Sequence, residues 1–157
     1  MTPHRDSVVG VISDTHGLVR PEALAALRGS DLIVHAGDVG APEVLAALRA
    51  VAPVTAVRGN NDRGDWARAL GECEAVEVAG RWLYVLHDVH ALDLDPAAAG
   101  FAAVIAGHSH RPLIEERRGV LFVNPGSAGP RRFTLPVAVA RVRVSTAGLR
   151  AEAVLLP

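Results

Sequence analysis

Seven residues at the ends of apolar runs carry side chains that can bind metal. Run 8–13 leads to Asp14-Thr15-His16, run 32–36 to Gly37-Asp38, and run 54–58 to Gly59-Asn60. Run 82–86 ends at His87, and run 102–106 at Gly107-His108-Ser109-His110. A lone His-x-His pair is as readily a polar turn with two hydrogen-bonded rings as a metal site. The full set is harder to explain that way. Asp14, His16, Asp38, Asn60, His87, His108 and His110 offer two carboxylates, four imidazoles and an amide oxygen. That exceeds what one four-coordinate ion takes. It suits two ions roughly 3.5–4 Å apart that share a carboxylate. The mixed nitrogen and oxygen donors favour Mn, Fe, Zn, Co or Ni over Ca or Mg, and Mn²⁺ is the ion expected.

Two divalent ions, two carboxylates and a bridging hydroxide leave the ligand set at roughly +1, which attracts an anionic phosphate ester. Coordinated water loses its proton near neutral pH, against a pKa of about 15.7 in bulk. The expected chemistry is in-line attack of that hydroxide on phosphorus, on phosphodiesters or small phosphomonoesters.

These residues need elements that bring them together. Residues 21–28 and 42–51 read as helices, each with Pro early, alternating with strands 8–13, 32–36 and 54–58. That β-α-β-α-β run implies a parallel sheet with right-handed crossovers. The second half is mostly strands, at 75–78, 82–86, 102–106, 113–117, 120–123, 136–144 and 149–155. Residues 96–100 could open a short helix. Strand C-terminal ends gather along one edge of an open α/β sheet, so the seven residues converge there. The chain has three Asn and no Gln, and Asn60, Asn61 and Asn124 all stand at strand ends.

Composition bounds the rest. A chain of 157 residues fits one domain over residues 1–157. Half of it is hydrophobic and 4% aromatic, so the core is aliphatic. A net charge of −1 gives no field for nucleic acid or an anionic membrane. All sixteen basic residues are Arg, which excludes a lysine Schiff base. The single Cys73 excludes an internal disulfide. Run 8–12 is too short for a signal-peptide core, and no segment reaches membrane-spanning length, so a cytoplasmic protein is expected. Apolar edge surface is compatible with a homo-oligomer. The polar segment 1–7 is expected to fray and His4 to be exposed.

Ser13-Asp14-Thr15-His16-Gly17, Gly37-Asp38, Gly59-Asn60-Asn61-Asp62, His87, Gly107-His108-Ser109-His110 and Asn124-Pro125-Gly126-Ser127 resemble, in order, the motif set of the calcineurin-like metallophosphoesterases. The resemblance is closest to the small single-domain bacterial and archaeal phosphodiesterase group. It implies a double β-sheet sandwich flanked by helices. It further implies that Asp14, His16 and His110 bind one metal, that Asn60, His87 and His108 bind the other, and that Asp38 bridges them. Asp38, Asn60 and His108 are then the residues nearest the chemistry.

Two positions depart from the family pattern. Many members have His as general acid where this chain has Asn61, and an amide cannot give up a proton as an acid does. Slow turnover is expected, faster with good leaving groups such as nitrophenolate. Asp88 stands where the small group often has Gly; it could orient His87 or be a solvated loop residue. Asn61, Asp62 and Arg131 are candidate substrate contacts, although a turn or helix-cap role suits Asp62 better. His35 is expected to be a hydrogen-bonded core group. The retromer scaffold subunit shares the fold, lacks an effective catalytic site and binds partner proteins. A non-catalytic scaffold is therefore the alternative function.

Overall fold

The computed structural model describes residues 6–157; the expectations for His4 and for the start of segment 1–7 lie outside them. Strand β1 (Ser7–Ile12) is followed by α1 (Pro21–Ala26), β2 (Leu32–His35), α2 (Pro42–Arg49) and β3 (Val54–Ala56). The three strands run parallel, in register from Ile12 to His35 to Ala56. Strands β9 (Ala138–Ser145) and β10 (Gly148–Leu155) add antiparallel on the β1 side, giving the order β10-β9-β1-β2-β3. A second five-stranded sheet has the order β4-β5-β6-β8-β7. It comprises β4 (Cys73–Val78), β5 (Arg81–Leu86), β6 (Phe101–Ile105), β7 (Pro112–Arg117) and β8 (Val120–Pro125). Here β5, β6 and β8 are parallel and the outer strands antiparallel.

The sheets pack face to face because their strands alternate. Val9, Val11, Val34, Ala140 and Val142 of the first sheet meet Leu83, Val85, Ala103, Ile105 and Val123 of the second, all buried. The other side of the first sheet packs Ile12, Ile33 and Val139 against Leu27, Leu45 and Leu48 of the helical segments. A leucine at either of the last two positions buries about 1.5–3 kcal/mol of hydrophobic free energy. The two helices start at their Pro as expected and end two residues short of the expected bounds, at Ala26 and Arg49, with Gly29 at φ +84° in the turn after α1.

Two details differ from the sequence reading. Residues 96–100 form a turn instead of a helix: Asp95 accepts from the Ala97 and Ala98 amides, and Gly100 at φ +87° reverses the chain. A four-residue helix, α3 (Asp65–Arg68), and a 3₁₀ turn at Val89–Ala91 also occur where no periodic apolar pattern announces them. They are too short to show one. Among the described residues no helix is long and apolar enough to cross a membrane.

Candidate metal centre

The strand registers bring the polar clusters to one edge. The C-terminal ends of β1, β2 and β3 lie side by side, as do those of β5, β6 and β8. Backbone hydrogen bonds then stitch the loops that follow. The Asp14 amide donates to the Gly37 carbonyl at 3.0 Å, and the His16 amide to the Asp38 carbonyl at 3.0 Å. The Gly107 amide donates to the His87 carbonyl at 2.9 Å, which joins the loops of the second sheet.

Asp14 is at the middle of the cluster and fully buried. Its Oδ2 accepts from Ser13 Oγ at 2.6 Å and from the His108 amide at 3.0 Å. Its Oδ1 has no hydrogen-bond donor, and His110 Nε2, His87 Nε2 and His16 Nε2 stand 3.3, 3.8 and 4.0 Å away. His16 Nε2 is likewise buried without a partner, as is His110 Nδ1. Asp38 Oδ2 lies 3.4 Å from His87 Nε2 and 3.7 Å from His16 Nε2. Two sets of donor atoms fall within 4.8 Å of one another: Asp14, His16 and His110, and Asp14, Asp38 and His87. Leaving a buried polar atom unpaired costs about 1–3 kcal/mol. Asp14 Oδ1 and His16 Nε2, 4.0 Å apart with His110 Nε2 3.3 Å from the same oxygen, fit a cation between them, and the carboxylate and imidazole donors suit a divalent transition metal.

The backbone at this edge is strained in one consistent way. Asp14, His16, Asp38, His108 and His110 all adopt positive φ, between 48° and 71°. A non-glycine residue pays about 1–2 kcal/mol for that conformation. Such strain persists where surrounding contacts over-determine it, and it collects at functional sites. Close packing explains two of the glycines. A Cβ on Gly59 would strike the backbone nitrogen and Oδ1 of Asp38, and one on Gly107 would strike Ser13 Oγ and come within 2.6 Å of Asp14 Oδ2.

The remaining groups set orientation and charge. His87 Nδ1–H donates to the Ala36 carbonyl at 2.7 Å, which turns Nε2 toward both carboxylates. Burial pushes the His87 ring down, but its hydrogen bonds to Asp38 and Ala36 and the nearby carboxylate charges outweigh this, for a net rise. Burial likewise pushes the Asp38 carboxyl up, yet His87 and the Asn61 backbone and side-chain donors hold it well below the usual carboxylate range. His110 is lowered, first by burial and then by the charges of Arg132 and His16, against the opposing pull of Asp14.

His108 is exposed, with 45% of its side chain accessible. Its Nδ1 lies 3.3 Å from His87 Nε2, and its Nε2 lies 3.8 Å from Asp88 Oδ2. Asp88 therefore faces His108, and it does not orient His87; its Oδ1 accepts from the His90 amide and caps the 3₁₀ turn. Asn60 is exposed and lines a cleft together with His87 and Asp88.

The three candidate substrate contacts have these surroundings. Asn61 is clamped on Asp38, its backbone amide on Oδ1 at 2.9 Å and its side-chain amide on Oδ2 at 3.0 Å. Asp62 is buried, and its carboxylate accepts from the amides of Val39, Gly40 and Gly59. It latches the loop after β2 to the loop after β3. Arg131 is exposed in the loop, while the charge that bears on His110 comes from Arg132. Asp62→Ala strands three amides and is expected to cost about 2–4 kcal/mol, read as a shift in urea midpoint at constant slope.

His35 is fully buried, and its bonding fixes its tautomer. The Gly37 amide donates to Nδ1 at 3.1 Å, so Nε2–H donates to Thr15 Oγ1 at 2.9 Å, and that hydroxyl donates to the Val39 carbonyl. The relay ties the residue between Asp14 and His16 to the loop that holds Asp38. Burial, with the charge of His87 next, pushes this ring down to about 3. Below pH 6.5 the unfolded chain protonates His35 while the folded chain does not. Stability therefore falls with falling pH across the window from 6.5 to about 3. With metal chelated, the wild type is expected to lose up to about 1.4 kcal/mol per pH unit more than His35→Gln over pH 6–4 in urea melts. The sequence gives no notice of Ser13 and Thr15 as supports of the site; polar residues in or just after an apolar run are the available signal.

Residues 8–147 match the family model of the calcineurin-like phosphoesterase superfamily domain. A protein of Methanothermobacter thermautotrophicus named probable metallophosphoesterase is 38% identical over 157 residues, covering 92% of this chain and 90% of its own. An archaeal phosphodiesterase structure superposes with a TM-score of 0.79 at 22% identity, over 95% of this chain and 99% of that one. Vps29 of Entamoeba histolytica, solved with Zn²⁺, superposes with a TM-score of 0.69 at 22% identity, over 94% and 98% of the two chains. The structural matches speak for the fold, and the family-model match with the 38% identical relative speaks for descent: the chain belongs to the calcineurin-like phosphoesterase superfamily.

Proposed function

We propose that the protein is a two-metal phosphoesterase, acting on phosphodiesters or small phosphomonoesters in the cytoplasm. The observation that carries this reading is the buried Asp14 Oδ1, which has no donor and is ringed by His110, His87 and His16 Nε2 at 3.3 to 4.0 Å. In this reading Asp14, His16 and His110 hold one ion, Asn60, His87 and His108 the other, and Asp38 stands between them. Divalent ions there, with Mn²⁺ favoured, supply Lewis acidity toward phosphoryl oxygens and lower the pKa of coordinated water.

The chain's own groups do the positioning. The Ala36 carbonyl presents His87 Nε2, Asn61 holds both oxygens of Asp38 in place, and Ser13 with the His108 amide fixes Asp14. Asn61 has no acidic proton to give a leaving group, and its amide is already engaged. Good leaving groups are therefore hydrolysed best.

The test is hydrolysis of bis(4-nitrophenyl) phosphate and 4-nitrophenyl phosphate with Mn²⁺ and with chelator. Metal-dependent turnover is expected to fall at least about a hundredfold in Asp38→Asn and His108→Ala. Turnover no higher than in those variants would overturn the reading and leave the scaffold alternative. The Zn²⁺ in the Entamoeba histolytica Vps29 structure makes metal binding alone a poor discriminator, so turnover is the deciding readout.

A further inference from the structure

Beside His108 a cavity of ≈ 270 Å³ opens on the outer face of the second sheet, beneath the 3₁₀ turn. Its lining includes the apolar side chains of Val89, Val104, Leu113 and Phe122. Val104 and Phe122 are register partners across β6 and β8, and the residues after them, Ile105 and Val123, point into the inter-sheet core. The cavity floor is thus fixed by strand alternation. Arg117 stacks 4.8 Å above the Phe122 ring and pairs with Glu115 at 2.8 Å, which braces one wall. Leu113 remains 46% exposed, a large apolar side chain left open at this face.

On the other side of Asp88 the cleft that contains Asn60 carries more charge, with Arg58, Glu72 and Asp93 in its lining. Asp88 belongs to both clefts. The candidate centre therefore looks out on two unlike surfaces, one apolar and one charged. A phosphomonoester has one organic arm to place; a diester has two.

We propose that the apolar cavity is the subsite for one ester arm of a phosphodiester, and that this arm is an aryl or similarly compact apolar group. The inference rests on the phosphoesterase reading of the neighbouring centre. The volume falls just under the roughly 300–1,000 Å³ of sites for drug-sized ligands, which suits a single ring. The amide that lines the cavity is already engaged. The Asn124 side chain in the lining already donates to the Gly107 carbonyl and to Ser109 Oγ, at 2.9 and 3.0 Å, and accepts from the Gly126 amide at 2.9 Å.

Calorimetric titration with diphenylphosphinate and dimethylphosphinate tests this in the Mn²⁺-loaded protein. Both are singly charged diester analogues whose P–C bonds resist hydrolysis. The diphenyl compound is expected to bind at least about tenfold tighter. That advantage should shrink below threefold in Leu113→Asp, at a position 46% exposed on the outer strand β7, and in Phe122→Ala. Equal affinities in the wild type overturn the subsite, as does an aryl preference that survives both substitutions. An aryl preference sensitive to both, in a protein that hydrolyses no nitrophenyl ester, upholds the subsite and removes the catalytic reading.

Discussion

Asp14→Asn is expected to leave the metal-free protein at least as stable as the wild type while abolishing metal-dependent hydrolysis. The two effects have one source. Asp14 Oδ1 is buried with no donor, and three imidazole nitrogens stand 3.3 to 4.0 Å away. An asparagine amide can keep its oxygen on the His108 amide and place N–H groups where the unpartnered oxygen was. The buried oxygen without a donor disappears, for a gain of about 1 kcal/mol in urea melts of chelated protein. Added Mn²⁺ stabilises the wild type by mass action and should no longer stabilise the variant, because a carboxylate donor to the ion is gone. A variant that loses stability without metal would mean that Asp14 serves the fold first. The wild-type arrangement is then the familiar exchange of stability for a poised site.

Gly107→Ala is expected to damage the same centre from the backbone side. The added methyl would overlap Ser13 Oγ and press on Asp14 Oδ2, and both are buried. Gly107 is held by its amide to the His87 carbonyl, so the loop cannot simply retreat. Overpacking of this kind costs about 1–3 kcal/mol, a drop of roughly 2–10 °C in Tm for a chain of this length. Metal affinity should fall further than stability, because Asp14 and His108 move together. A Gly80→Ala control, in the β4–β5 turn, meets nothing within 4 Å of the new Cβ but strains the backbone at φ +79°; it can cost stability and should leave metal affinity unchanged.

Much of the site was legible because strand ends are marked by where apolar runs stop. The runs to Asp14, Asp38, His87 and His108 end in the structure within two or three residues of where hydrophobicity ends. Parallel pairing then forces those ends to one edge, so convergence followed from topology. The backbone conformation of the clusters was not legible. Asp14, His16, Asp38, His108 and His110 at positive φ run against local preference and are imposed by contacts between loops distant in sequence. The partners of Asn61 and Asp62 were not legible for a related reason. Their side chains are directed by amides and a carboxylate more than twenty positions away, at Val39, Gly40 and Asp38, and no local pattern encodes those partners. The turn at 96–100 shows the reverse limit: five residues between Asp95 and Phe101 carry too little periodicity to separate helix from turn.

The central claim is that these strained strand ends form a site for two divalent ions. The direct measurement is a calorimetric titration of chelated protein with Mn²⁺, with bound metal counted in parallel by native mass spectrometry. The account predicts two ions per chain in the wild type and one or none in Asp38→Asn. A wild type that binds no ion, or takes up a single ion unaffected by Asp38→Asn, would contradict it.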